Sequence, residues 1–333
     1  MLHLRILAKD VRDMWRAFRF LELTRRAVPR RTTISLVWQH HEPWQWSGFW
    51  LARRHSAPLI LFVDAPVVWE ARLWGVRRPG WGRLIERLGE VPQLRRADVV
   101  ACVSQPVADQ VARMGAPADR IAVTPCSVDT MRFRPDKESH ALRDELGFNG
   151  GTVVGWLGSF RRFHGLDLLI DAYAAARAAD PDLRLLLVGD GSERRALMDD
   201  VAARGIPGVV FVGVVEHSEV PRYLNVMDIA VVVDPASGTW HYSPLKLREY
   251  MACGLAVIAP TSGQMADHVS HGHDAMLIEP GSGEAIREAL VLLASDVRLR
   301  TRLGGQARAR AERDGGWHEQ LATALRTRGM DDG

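Results

Sequence analysis

Short runs of small, aliphatic and β-branched residues alternate with helix-length segments along most of this chain. That alternation limits its fold more than any other feature. Residues 58–63, 98–103, 121–124, 152–157, 183–188, 209–212, 229–233 and 256–259 read as strands, with 33–38 ahead of them. Helical patterns occupy 8–27, 46–55, 83–95, 106–114, 166–179, 193–203, 220–227 and 285–294, with a further helix near Met265. Strands separated by helices of this length pair in parallel, which implies an α/β fold. A chain of 333 residues is long for one core, so two domains are expected. Pro135, a charged helix and Asn149-Gly150-Gly151 bracket a linker at 136–151. The expected domains are then 1–135 and 152–310, each doubly wound, with a C-terminal helix and tail at 311–333. Ligands of such sheets sit outside the carboxyl ends of the strands.

Composition narrows the function. Hydrophobic residues make up 47% and charged residues 25%, as in a soluble globular protein. No apolar run of about 20 residues and no apolar leader core is present, so a cytoplasmic protein is expected. Cys102, Cys126 and Cys253 lie far apart and suggest neither a disulfide framework nor a metal site. Asp180 and Asp182 form an Asp-x-Asp, but in a Pro-bearing turn that reads as solvated, so no metal is expected. The net charge is only +3 and the basic residues are dispersed, which argues against nucleic acid.

The chemistry concentrates at Ser243-Pro244-Leu245-Lys246-Leu247-Arg248-Glu249-Tyr250-Met251-Ala252-Cys253-Gly254. Ser243 suits an N-cap, Pro244 the first helical position and Gly254 the stop. A helix N-terminus collects unpaired N–H groups and binds anions. Lys246 falls in the first turn, where a cation opposes the helix dipole and suggests a phosphate. Lysine is also scarce: Lys9, Lys137 and Lys246 are three of 43 basic residues. Glu249, further down the helix, can accept from sugar hydroxyls. An ordinary capped surface helix with a charged face is the alternative.

Several motifs in order resemble the retaining glycosyltransferases of family 4, which have the GT-B fold. They are Gln39-His40-His41-Glu42-Pro43, Ala97 to Ser104, Pro125 to Phe133, Gly158 to Gly165, Leu186 to Gly191, Val210 to Val215, and the Ser243 segment. The resemblance implies two Rossmann-like domains facing a cleft and transfer of a sugar from a nucleotide-sugar to a hydroxyl acceptor. It implies that the donor is a substrate, with no cofactor and no metal. The backbone of Ser243, Pro244 and Leu245, with Lys246, would meet the diphosphate, and Glu249 the ribose. Gly158, Ser159, Arg161, Arg162 and His164 would lie beside the phosphates, and Val214 and Val215 at the nucleobase. His41 would stand near the reacting centre. In such enzymes the leaving phosphate takes the acceptor proton on one face, with no protein nucleophile.

The chain also departs from the family. His241 stands where a Glu is common, leaving sugar recognition to His241 or Tyr242. Ser159 and His164 replace an Arg and a Lys. No glycine occurs in the first 40 residues, so the Gly-rich loop expected before the His motif is absent and the N-terminal domain reads as truncated. A half-site protein that binds nucleotide-sugar or a partner chain is therefore the alternative function. Residues 1–31 carry nine basic and three acidic side chains with Trp15, Phe18 and Phe20. That segment suits a peripheral membrane surface, a partner chain or packing on its own domain. Trp38, Trp44, Trp46, Trp50, Trp69, Trp74 and Trp81 crowd one region, as core or as sugar-stacking platforms.

Overall fold

The computed structural model describes residues 2–136, 139–148, 150–236, 245–263 and 265–329, arranged as two parallel-sheet α/β units. Among the described residues, one compact unit holds 2–126 and 318–329. The other holds the described residues of 127–236 and 245–317.

The first unit runs α1 (Leu2–Ala27), β1 (Val37–His40), α2 (Ser47–His55), β2 (Leu59–Val63) and α3 (Val67–Leu73). A composite helix follows, made of α4 (Trp81–Leu84), a π-helical turn (Ile85–Glu90) and α5 (Val91–Arg96). Then come β3 (Val99–Cys102), α6 (Gln105–Arg113) and β4 (Ile121–Val123). The four strands pair in parallel in the order β1-β2-β3-β4. Every residue of β2 and β3 is buried, the signature of a parallel sheet covered on both faces.

Several elements differ from the sequence expectation: α1 begins at Leu2 rather than at residue 8, α3 was not expected, and the first strand and the helix at 83–95 are altered. The first strand, expected over 33–38, forms at Val37–His40. The buried amide of Gln39 accounts for the shift. Its Nε2 donates to Gln45 O (2.9 Å) and its Oε1 accepts from Gly48 N–H (2.7 Å), so a polar residue sits satisfied inside the strand. The helix expected at 83–95 is broken by the π turn. Pro92 has no N–H to continue the ladder. Glu90, at the end of the turn, is buried and its Oε1 accepts from Val67 N–H (2.6 Å), capping α3. Helix α1 is tied to this region: Asp10 accepts from Arg78 (2.8 and 3.1 Å) and from Trp81 Nε1 (3.0 Å).

The second unit contains α7 (His140–Glu145), β5 (Val153–Leu157), α8 (Leu166–Ala179), β6 (Arg184–Val188), α9 (Arg194–Ala203), β7 (Val209–Gly213) and α10 (Val220–Leu224). It continues with β8 (Ile229–Val231), α11 (Leu245–Ala252), β9 (Ala256–Pro260), α12 (Met265–His268), β10 (Met276–Ile278), α13 (Gly283–Ser295) and α14 (Val297–Arg313). The strand order is β10-β9-β8-β5-β6-β7, all parallel. In chain order this is the doubly wound arrangement with a reversal between its first and fourth strands. Helix α14 is masked in the sequence by its arginines, although Leu303, Ala307 and Ala311 are buried. The last helix, α15 (Trp317–Thr327), places Ala324, Leu321 and Leu325 with the core of the first unit. Among the described residues no helix is long and apolar enough to cross a membrane.

Candidate active site

The six-stranded sheet reverses between β5 and β8, and open sheets bind ligands outside the carboxyl ends at such a point. The loop after β5 begins at Gly158, and the connection after β8 leads to Lys246 on α11.

Close backbone approach explains the glycines. Gly158 N–H donates to Val188 O (3.0 Å), Gly189 N–H to Gly213 O (2.8 Å), and Phe160 N–H to Asp190 O (2.9 Å). A methyl on Gly189 would sit 1.9 Å from Gly158 O, and one on Gly191 2.4 Å from Phe160 O. Only glycine permits this approach. The loops after β5, β6 and β7 are therefore knitted together at the carboxyl edge.

Lys246 reaches this floor. Its Nζ lies 4.3 Å from the ring centroid of the buried Trp156 and 3.1 Å from where a Gly158 Cβ would stand. A cation over an indole face is favourable. Among the described residues no hydrogen bond engages this Nζ. Burial pushes the Lys246 ammonium down to about 7, opposed by the Glu249 charge. Burial likewise pushes the Glu249 carboxyl up to about 7, opposed by Lys246 and Arg132. Each charge thus favours the ionised form of the other, against burial. Tyr250, next on the helix, is buried, and its OH accepts from Leu157 N–H (2.8 Å), fixing α11 to the end of β5. Arg248 points elsewhere, pairing with Asp314 and with His268 Nδ1 (3.0 Å).

The pair predicts a pH dependence. An anion at Lys246 raises the lysine pKa, so binding above pH 7 takes up a proton. Affinity for a nucleotide-sugar, whose diphosphate diester does not titrate in this range, is expected to fall from pH 7 to 9. The limiting slope is about tenfold per pH unit for one proton. Calorimetry in two buffers of different ionisation enthalpy checks this: a heat independent of buffer at pH 8.5 would contradict it.

The loop after Gly158 turns through a 3₁₀ segment, Arg162–His164. His164 packs on Trp156 (centroids 5.5 Å apart) and Phe163 (4.3 Å). Burial, then Lys246 and Arg161, push it down to about 3, so it is neutral at physiological pH. Gly158, His164, Lys246 and Glu249 thus come together, with the Arg161 charge acting on His164. Ser159, Arg161 and Arg162 are exposed, and both arginines line a shallow cleft of about 260 Å³ with Asp167 and Glu193. Val214 is 78% exposed just after β7, while Val215 is partly buried against the core. His241, Tyr242, Ser243 and Pro244 lie outside the described residues, whereas Leu245 opens α11 and is exposed. Three contributors were not singled out from sequence: Trp156 under the lysine, Tyr250 bracing the loop, and Arg132 beside Glu249. For Trp156 a signal existed, an aromatic two residues before the loop glycine.

In the first unit His41 follows β1 and is 2% exposed. Its backbone N–H donates to Phe62 O (2.7 Å), yet among the described residues neither ring nitrogen has a hydrogen-bond partner. Burial, and then His40, lower it to about 4, so the ring is neutral. His40, by contrast, pairs with Asp64 at 2.6 Å, which raises its pKa. The residues after His41, Glu42 to Gln45, line a cleft of about 560 Å³ with Lys9, Arg12 and Phe20 of α1. Among the described residues no group of three His, Cys, Asp or Glu could hold a metal.

Comparison with known proteins matches both halves. Residues 4–132 match the family described as Glycosyltransferase Family 4, and residues 151–296 that described as Glycosyl transferases group 1. The chain belongs to the group 1, family 4 glycosyltransferases. Relatives of this glycosyltransferase-family chain include the D-inositol 3-phosphate glycosyltransferase of Pseudarthrobacter chlorophenolicus, 28% identical over 73% of the chain and 60% of the relative. The GDP-mannose-dependent monoacylated alpha-(1-6)-phosphatidylinositol monomannoside mannosyltransferase of Corynebacterium glutamicum is 31% identical over 61% of the chain and 55% of the relative. The chain thus spans less than two thirds of the length of these two relatives. Anabaena HepE, solved with UDP-glucose, shares the GT-B fold at a TM-score of 0.70, with 20% identity over 88% of the chain and 78% of that structure. Sucrose-phosphate synthase of Thermosynechococcus elongatus gives a TM-score of 0.67 with 24% identity, over 88% of the chain and 71% of that structure.

Proposed function

We propose that this protein transfers a sugar from a nucleoside-diphosphate sugar to a hydroxyl acceptor, with retention at the anomeric carbon and without a metal. One observation carries the reading: Lys246 places its ammonium, which has no hydrogen bond among the described residues, on Trp156 beside the Gly158 gap, at the reversal point of a doubly wound sheet. An ammonium in that place matches a diphosphate leaving group, whose charge grows as the glycosidic bond opens. Gly158 leaves room for the phosphates, with His164 and the Arg161 charge beside them. Glu249 suits the ribose, and Val214 and Val215 the nucleobase. The GDP-mannose dependence in the name of the Corynebacterium relative and the UDP-glucose complex of HepE support the same donor class.

On this reading, His41 works near the reacting centre. A neutral imidazole with both nitrogens free can accept from an acceptor hydroxyl, and the neighbouring cleft lined by Glu42, Trp44 and Lys9 is the candidate place for the acceptor. His41→Ala is expected to lower turnover about 10²-fold or more, the usual scale for a positioned proton-handling group. Donor affinity should stay unchanged. A variant with wild-type turnover would remove His41 from the chemistry.

The test of the whole reading is a hydrolysis and transfer screen over UDP-, GDP- and dTDP-sugars, with the product anomer read by NMR. A product of the same anomeric configuration as the donor is expected. Single-turnover transfer should persist in EDTA, because the side-chain cations already balance the diphosphate. Inverted product, or activity lost in EDTA and restored by Mn²⁺ or Mg²⁺, would overturn the corresponding part.

A further inference from the structure

The glycine floor of the second unit has another cation at its far end. Gly158, Gly189 and Gly213 stand at the carboxyl ends of β5, β6 and β7, tied by Gly158 N–H to Val188 O and by Gly189 N–H to Gly213 O. Lys246 rests against the first of them. Arg194, the first residue of α9, rests against the third: its Nη2 lies 3.9 Å from where a Gly213 Cβ would stand. Neighbouring strands lie about 4.8 Å apart, so two strand spacings, roughly 10 Å, separate the two ends of the floor. A ribose and its base reach about that far from the phosphate they carry.

An arginine by itself is weak evidence, because 40 of the 43 basic residues are Arg. Enclosure sets this one apart. Among the described residues, Arg54, Arg78, Arg194 and Arg248 each have a side-chain nitrogen shut off from solvent without a hydrogen-bond partner. Arg78 is nonetheless paired with Asp10 and Arg248 with Asp314, and Arg54 lies over the Trp50 ring. Arg194 has neither a carboxylate nor a ring partner among the described residues, and the enclosed atom is its Nε. A desolvated donor without a partner costs free energy, and the fold sets it beside the backbone of Gly213. A ligand acceptor at that place removes the cost.

The exposed Val214 follows Gly213 directly and offers a base an apolar surface. A guanidinium beside it presents two parallel N–H groups. Guanine answers both with its adjacent O6 and N7 acceptors. Adenine sets an amino donor next to N7, and the O4 of a uracil-type base is a single acceptor. We propose that Arg194 selects the nucleobase and that the base selected is guanine, so that the donor is a GDP-sugar. This rests on the donor site proposed at Lys246.

Calorimetric titration with GDP, UDP and ADP tests this. The wild type is expected to bind GDP about 5- to 150-fold tighter than UDP or ADP, the scale of one bidentate contact. Arg194→Met should bring GDP down to the level of UDP. Arg194→Lys keeps the charge without the fork and should lose most of the preference as well. The ratio between nucleotides is the readout, so a partly unfolded variant cannot imitate the result. Equal affinity of the wild type for GDP and UDP would overturn the proposal, and so would a preference that survives in both variants. A loss of the same size for all three nucleotides would put Arg194 on the phosphates and overturn it too. If the wild type binds none of the three, the donor site at Lys246 fails, and the base assignment fails with it.

Discussion

Lys246→Ala is expected to weaken nucleoside diphosphate binding by about 10- to 150-fold while leaving nucleoside binding unchanged. The lost interaction is a charge-assisted phosphate bond, worth roughly 1.5–3 kcal/mol. The upper part of that range suits this lysine, because its Nζ sits against the buried Trp156 rather than in open water. Low local dielectric strengthens an ionic contact that does form. Glu249→Ala should behave differently and weaken nucleoside and nucleoside diphosphate together, since its proposed partner is the ribose. Calorimetric titration of each variant with both ligands separates the two roles. Lys246→Met, which keeps the stem over the indole, serves as the packing control and should match the alanine variant. If the lysine and glutamate variants both bind both ligands like wild type, the site lies elsewhere.

Much of the second unit was legible because parallel strands buried on both faces are continuous apolar runs. Residues 183–188 and 256–259 could hardly be anything else. The candidate site was legible for a related reason: a first-turn lysine, a glycine after a strand and a helix stop are local signals. What sequence did not convey was the part made by distant contacts. Trp156 reads as one more buried strand residue until Lys246 is found upon it. Tyr250 reads as core until its OH is seen holding Leu157 N–H. Arg132 lies far along the chain from Glu249, and only folding brings its charge to bear. The same limit explains the first unit. Local propensity favours a strand at Thr33 to Trp38, but the Gln39 amide network, which reaches Gly48 and Gln93, places the strand two residues further on at its C-terminal end. The π turn depends on Glu90 capping a helix that begins 23 residues earlier. No periodicity in residues 83–95 announces that.

The glycine contacts give the other large expected effect. Gly189→Ala places a methyl 1.9 Å from Gly158 O, at a φ of 129° that residues with a side chain rarely adopt. The obstacle is backbone and cannot swing aside, unlike the far end of a long side chain. Overpacking costs about 1–3 kcal/mol and the forced backbone conformation a further 1–3 kcal/mol or so. A loss of roughly 2–6 kcal/mol follows for the second unit, large against ordinary domain stability. Relief requires Gly158 and Gly189 to separate, and Gly158 is the residue against which Lys246 rests. Whatever protein remains folded should therefore also lose diphosphate affinity, even though position 189 need never touch the ligand. Gly205→Ala is the matched comparison. It too has positive φ (59°), but nothing lies within 4 Å of the added methyl. Its cost should be only the left-handed strain of about 1–2 kcal/mol, with donor affinity intact. Urea unfolding and nucleotide titration of the two variants side by side decide the matter. Equal stability of the two would show that the loops after β5 and β6 are not locked together as the hydrogen bonds and close contacts require, and that Lys246 is held in place by something other than the Gly158 floor.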